Sequence, residues 1–233
     1  MRKYKIETHL HTTYVSKCGW LGAQAIAQMY KACGYDAICV TDHYNRTTFN
    51  YIDCDLSAPG SKIPEFLLGY RRLKREAEAL GIRVYEGAEL RFDECDNDYL
   101  LYGFHHELLD DPEAVISGNL VNFVPEYRAD GALLVQAHPF RKGCHPVEAE
   151  YLDGMEIYNA SPRHNSSDRL ARAYADEHHL IRTAGSDAHR PGDQGRAGIT
   201  CDELPMDSFE FAALLRSGDY SLFRHDAFDE IID

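Results

Sequence analysis

Short segments rich in β-branched and aromatic residues recur along this chain with helical patterns between them, and that alternation restricts the fold more than any other feature. The segments are Lys5 to Leu10, Ala37 to Thr41, Val84 to Leu90, Tyr99 to Phe104, Leu133 to Ala137, Met155 to Tyr158 and Ile181 to Ala184, which makes seven candidate strands. Helices are expected at Leu21 to Cys33, closed by Gly34, at Pro64 to Leu80, closed by Gly81, and at Ser167 to His179. Strand, helix, strand predicts a parallel α/β sheet, either open and doubly wound or closed into a barrel. The 233 residues contain no repeat, no low-complexity tract and no stretch that reads as a linker, so 1–233 is expected to be one domain. The polar stretch Asn45 to Lys62 is expected to be an irregular loop overhanging one rim.

Charge and cysteine usage narrow the function classes. With 24 Lys and Arg against 38 Asp and Glu, the formal charge is −14, which repels phosphate backbones and anionic lipid and makes nonspecific nucleic-acid or membrane binding unlikely as a role. The basic start Met1-Arg2-Lys3-Tyr4-Lys5 has no apolar stretch of signal-peptide length behind it, and no run approaches the length of a membrane span. Seven cysteines, odd in number and never in CxxC spacing, fit neither a disulfide framework nor a zinc ribbon, and a reducing cytoplasm is the expected location. The chain has no dinucleotide fingerprint, no phosphate-loop motif and no Gly-x-Ser-x-Gly elbow.

Histidines and carboxylates collect at the carboxyl ends of the expected strands. The first ends in His9-Leu10-His11, the second in Asp42-His43, the third in Glu89, the fourth in His105-His106, the fifth in His138-Pro139 and the seventh in Asp187-Ala188-His189. In parallel α/β architectures these ends form one face, where residues remote in sequence converge. Alternate strand residues point the same way, so His9 and His11 can aim at one cation, and a carboxylate such as Glu89 can bridge two. Imidazole with carboxylate, without a set of cysteines, suits Mn, Fe or Zn at open sites. Asp42 reads as a support for His43 rather than a ligand, and His105 rather than His106 is expected to point inward. Arg141, Arg163 and Arg190 lie beside these motifs and could clamp phosphoryl oxygens as substrate-binding groups.

Taken together and in order, His9-Leu10-His11, Thr41-Asp42-His43, Glu89, His105, Ala137-His138-Pro139 and Gly185-Ser186-Asp187-Ala188-His189 resemble the motifs of the polymerase and histidinol phosphatase (PHP) family, from residue 4 to about 200. The resemblance implies a distorted seven-stranded (β/α)7 barrel and a polynuclear centre of two or three divalent metal ions that hydrolyses phosphate esters. It implies that His9, His11, Glu89 and Asp187 hold one metal, that Glu89 bridges to a second held by His105 and His138, and that His43 and His189 hold a third. Glu89, Asp187 and His189 would then be catalytic. The loop after the first motif offers Lys17 and Cys18 where the family pattern has His or Asp, so the third site is cysteine-ligated, weakly occupied or absent. The expected activity is phosphatase action on a small-molecule phosphate ester by metal-activated water. The alternatives are a metal-dependent amidohydrolase and a noncatalytic PHP-like module of DNA replication or repair. Oligomeric state and substrate are not encoded legibly.

Overall fold

A computed structural model of the chain describes residues 3–58 and 60–225; Met1 and Arg2 of the basic start and Pro59 of the polar stretch lie outside them. The elements begin with β1 (Tyr4–Glu7), α1 (Ala23–Ala32), β2 (Ala37–Val40), β3 (His43–Tyr44), α2 (Arg46–Tyr51), α3 (Ile63–Phe66), α4 (Leu68–Glu78) and β4 (Arg83–Leu90). They continue with β5 (Tyr99–Tyr102), α5 (Pro112–Ile116), α6 (Leu120–Asp130), β6 (Leu133–Gln136), β7 (Gly154–Asn159), α7 (Asp168–Glu177), β8 (Ile181–Gly185), β9 (Ala197–Cys201), α8 (Ser208–Ser217) and β10 (Tyr220–Arg224).

One mixed sheet runs β10-β9-β1-β2-β4-β5-β6-β7-β8 and curls into a distorted barrel. Beyond the carboxyl ends of β1 and β8, Leu10 and Ala188 form a parallel bridge that draws the sheet round on itself, with the His11 amide donating to the Ala188 carbonyl at 3.1 Å. All seven expected strands are present among the described residues. Three more join them: the short β3 beside β4, and β9 and β10, an antiparallel pair linked through α8, of which β9 runs antiparallel along the first residues of β1.

The strands close because both of their faces are covered. Helices α1 and α4 bury Ile26, Tyr30 and Leu73 against Ile38, Val40 and Val84 of the sheet. On another side Phe211 of α8 stacks on Tyr85, with ring centroids 4.9 Å apart. Full burial of such rings and aliphatics contributes about 1.5–3 kcal/mol each.

Three expectations need correction. The expected helix Pro64 to Leu80 is two pieces, α3 and α4, with Leu67 between them. The stretch Asn45 to Lys62 is not wholly irregular: Asn45 caps α2 by accepting from the Thr48 amide at 2.9 Å, and Phe49 is buried edge-on against Tyr44. The third correction moves a functional residue. β5 pairs antiparallel with both β4 and β6, so the residue after it points away from the face where the other strand ends converge.

Candidate metal centre

At the carboxyl ends of β1, β4, β6 and β8 the imidazoles and carboxylates meet in a buried cluster. His9, His11, Glu89, His138 and Asp187 are each at most 2% exposed. The Nε2 atoms of His9 and His11 face each other at 3.1 Å, and Asp187 Oδ1 stands 3.6 Å from the first and 3.4 Å from the second. Glu89 spreads its two oxygens between partners. Its Oε1 lies 3.3 Å from His9 and 3.0 Å from His138, whereas Oε2 lies 3.3 Å from His11 and 2.7 Å from His43. The rings of His43 and His189 both pack against His11, with centroids 4.3 and 4.2 Å from its own and 5.9 Å from each other.

These atoms form three-residue groups within 4.8 Å of one another: His9 with His11 and Asp187, His9 with Glu89 and His138, His11 with His43 and His189, and His43 with Glu89 and Asp98. The donor set suits a cation better than it suits a hydrogen-bond network. His43 Nδ1 and Glu89 Oε2 are both buried and neither completes a hydrogen bond, although they are 2.7 Å apart. Unsatisfied buried pairs of this kind are rare in protein interiors. An oxygen and an imidazole nitrogen so placed are arranged to share a third atom between them.

Surrounding groups fix the orientation of each donor. Glu156 accepts from His9 Nδ1 at 2.9 Å, which leaves the Nε2 lone pair facing the cluster. Asp187 Oδ2 accepts from the Asn159 amide at 3.2 Å and from Arg141. Both Asp187 and His138 have positive φ, 48° and 30°, a conformation that strand-end residues hold only when their surroundings impose it. Gly185 is required by packing: a Cβ there would stand 2.4 Å from that of His9. Asp42 is turned away from the cluster. It accepts from the Thr12 amide and the Ser16 hydroxyl, both at 2.7 Å, and so pins the loop that follows β1; burial lifts its pKa to about 6.

Charge is concentrated accordingly. Burial acts against ionisation of Glu89 and Asp187, yet the neighbouring imidazoles (His43 and His9 for the first, His9 and His11 for the second) hold both well below the usual carboxylate range. Burial opposes charge on His138 as well, but Cys144 and Glu89 raise it to about 9. His11 goes the other way, lowered by burial and by His189 and His43. The Cys18 thiol lies against the rings of His189 and His43; burial disfavours its thiolate, but those rings bring its pKa down to about 6.

The structure therefore brings together seven of the expected ligands: His9, His11, His43, Glu89, His138, Asp187 and His189. His105 is not among them. It sits beyond the far end of β5 with its side chain 60% exposed, bonded to Asp130, because an antiparallel strand carries its carboxyl end to the opposite face. The neighbouring His106 pairs with Glu86 there. The amino end of β5 takes the vacated place, and buried Asp98 stands 3.7 Å from His138 Nε2 while accepting from Arg91.

Of the three arginines, Arg141 reaches the cluster and keeps a buried Nε–H without a partner. Arg163 is engaged bidentately by Asp193, whose Oδ2 also accepts from the His189 amide, so this arginine braces the strand end. Arg190 stacks over exposed Trp20, 4.2 Å from its ring centre.

Four supporting residues escape a reading confined to strand ends: Glu7, Asp98, Glu156 and Asn159. Glu7 is wholly buried, accepts from the amides of Thr8, His9 and Ser186, and has its pKa raised to about 7 by burial. A register shift in β7 between Glu156 and Tyr158 puts Asn159 rather than Tyr158 beside Glu156, with its amide donating at 2.8 Å.

A family model described as PHP domain matches residues 7–200. No curated protein matches the sequence. Among solved structures, PsfC from Pseudomonas syringae PB-5123 superposes with a TM-score of 0.69 at 21% identity, over 97% of this chain and 93% of that one. A two-domain protein from Bacteroides vulgatus, containing a predicted PHP-like metal-dependent phosphoesterase, gives 0.69 at 15% identity over 96% of this chain, which spans 65% of that protein. The lesion-specific endonuclease Q from Pyrococcus furiosus gives 0.62 at 14% identity, and here the chain covers 58% of the other.

Proposed function

The chain belongs to the PHP-domain family, a metal-dependent phosphoesterase family, and from that premise we propose that it hydrolyses a phosphate monoester of a small molecule at the buried imidazole–carboxylate face. The observation that carries this reading is Glu89: one buried carboxylate whose two oxygens each serve a different pair of histidines. Two or three divalent ions, of Mn, Fe or Zn, would be held by His9, His11 and Asp187, by Glu89 with His138, and by His43 with His189. When bound they supply Lewis-acid activation of water and of the ester.

The protein's own groups do the rest. Glu156 and Asn159 hold His9 and Asp187 in one orientation. Arg141 presents its unpartnered Nε–H to a nonbridging phosphoryl oxygen. Cys18, whose thiol pKa His189 and His43 bring down to about 6, would offer the third group a thiolate in place of the family's His or Asp. The seven free cysteines support a cytoplasmic location, and among the described residues no helix is long and apolar enough to cross a membrane. The likeness to an endonuclease brings phosphodiesters of nucleic acid into view, but a net charge of −14 weighs against a long polyanionic substrate.

The test is phosphate release from a panel of phosphomonoesters, with Mn-reconstituted protein set beside chelated protein and the Glu89→Gln variant. Release should depend on metal. In the variant it should fall by about a thousandfold, matching the several kcal/mol that metal assistance contributes, with metal content reduced and the circular dichroism spectrum unchanged. Undiminished release from Glu89→Gln would sink the assignment, and metal-dependent cleavage of amides or lactones without phosphate release would replace it with an amidohydrolase.

A further inference from the structure

Next to the metal centre lies a second basin. A cavity of about 640 Å3, within the range of small-molecule sites, opens among the segment after β7, the start of α7, the start of β9 and the end of β10. Its wall includes four arginines in a chain of net charge −14: Arg163, which Asp193 engages, Arg224, which pairs with Asp168 at 3.4 Å, and Arg169 and Arg196. Among the described residues lining it, Asp168 is the one carboxylate.

Two observations point to a ligand. Ser161 and Ser166 line the cavity, each is only 5% exposed, and the hydroxyl oxygen of each is buried without any hydrogen-bond partner. Buried hydroxyls are seldom left so, because an unmet donor costs about 1–3 kcal/mol. Independently, the ten-residue helix α7 starts at this wall, and its cap residue Ser167 makes no side-chain hydrogen bond to the first turn. Helix amino termini of this kind favour an anion. Asn159 joins the two sites: it lines the cavity, and its side-chain amide donates to Asp187 Oδ2 at 3.2 Å.

We propose that this basin is an anion subsite and that the physiological substrate is a small phosphate ester carrying a second phosphate or carboxylate. The cleaved phosphate sits at the metal centre, and the second anion takes the hydroxyls of Ser161 and Ser166 and the guanidinium of Arg169. This deepens the phosphoesterase reading and rests on it.

The test uses metal-loaded protein and three probes: phenyl phosphate, with one anionic group, 3-phosphoglycerate, with an added carboxylate, and fructose 1,6-bisphosphate, with an added phosphate. The wild type should favour one or both of the last two by about tenfold in kcat/KM, the size expected of one charge-assisted contact, and which of them it favours identifies the second anion. The double variant Ser166→Ala, Arg169→Met should bring that preference to within about twofold. Absence of preference in the wild type, or equal loss on all three probes, overturns the subsite.

Calorimetric titration with inorganic phosphate provides a readout free of turnover. Two binding sites are expected in the wild type and one in the double variant, while Asp168→Asn, which neutralises the opposing carboxylate, tightens phosphate, a sign that structural damage would not produce. Loss of one phosphate site with no ester hydrolysed by any form would keep the subsite and overturn the hydrolytic reading. Hydrolysis with phosphate binding indifferent to these substitutions would do the reverse.

Discussion

The two ends of β5 carry the same kinds of side chain and do entirely different work. At its amino end Asp98 is 2% exposed, held by Arg91 and within 3.7 Å of the His138 ring; beyond its carboxyl end His105 is solvent-facing and bonded to Asp130. The difference is one of strand direction. β1, β4, β6 and β8 deliver their carboxyl ends to the cluster, and β5, antiparallel to both neighbours, delivers its amino end. A ligand motif is thus meaningful only with the polarity of the strand that carries it.

That polarity was legible in the chain. Between β4 and β5 lie only residues 91–98, too few for the crossover of about a dozen residues that a parallel pairing needs. Reading the connection length would have moved attention from His105 to Asp98. Other parts were legible directly: the seven strand segments, because β-branched and aromatic runs bounded by turn residues specify strands locally, and His9, His11, His43, Glu89, His138, Asp187 and His189, because each ends a segment whose direction the barrel fixes. Glu156 left a different signal, a lone carboxylate inside an apolar strand, where charge is tolerated only with dedicated partners, whereas Glu7, among Lys5, Thr8 and His9, left little. Asn159 left none, since its place depends on a register shift that tertiary packing creates. Strand β9 was equally hidden. Its residues pair along the first part of β1 from nearly two hundred positions away.

The largest expected effect that separates the two ends is at Asp98. Replacing it by Ala removes the partner of Arg91 and a carboxylate beside His138, leaving a half-buried cation without its bidentate partner. Metal affinity should fall by about ten- to a hundredfold, in the range for groups that support ligands, and equilibrium dialysis followed by elemental analysis would measure it. Retention of full metal content would place Asp98 outside the centre and remove half of the contrast.

A smaller effect tests the other departure from the family pattern, in the loop that Asp42 pins. Cys18→Ser should leave the groups around Glu89 filled and alter only the one around His43 and His189. In cobalt-substituted protein the near-ultraviolet absorption of a thiolate bound to the metal should be present in the wild type and vanish in the variant, while total phosphate release changes by less than about tenfold. Absence of that absorption from the wild type would mean the thiol packs in the loop without touching a cation.

The smallest effect belongs to His105, and it is the sharpest check on strand polarity. His105→Ala removes a solvent-facing imidazole whose partner Asp130, at the end of α6, still accepts from the residue 105 amide, at 3.1 Å. An exposed pair of this kind contributes at most about 1 kcal/mol, and substitutions at such surface positions shift stability by about 0.5 kcal/mol. Metal content and turnover should match the wild type, and the thermal midpoint should move by no more than a few degrees. If instead the variant lost a metal ion, β5 would have to reverse its direction in the active molecule. The pairing of Leu100 with Glu89 and with Val135 would then be undone on both sides, and with it the site that Asp98 now fills.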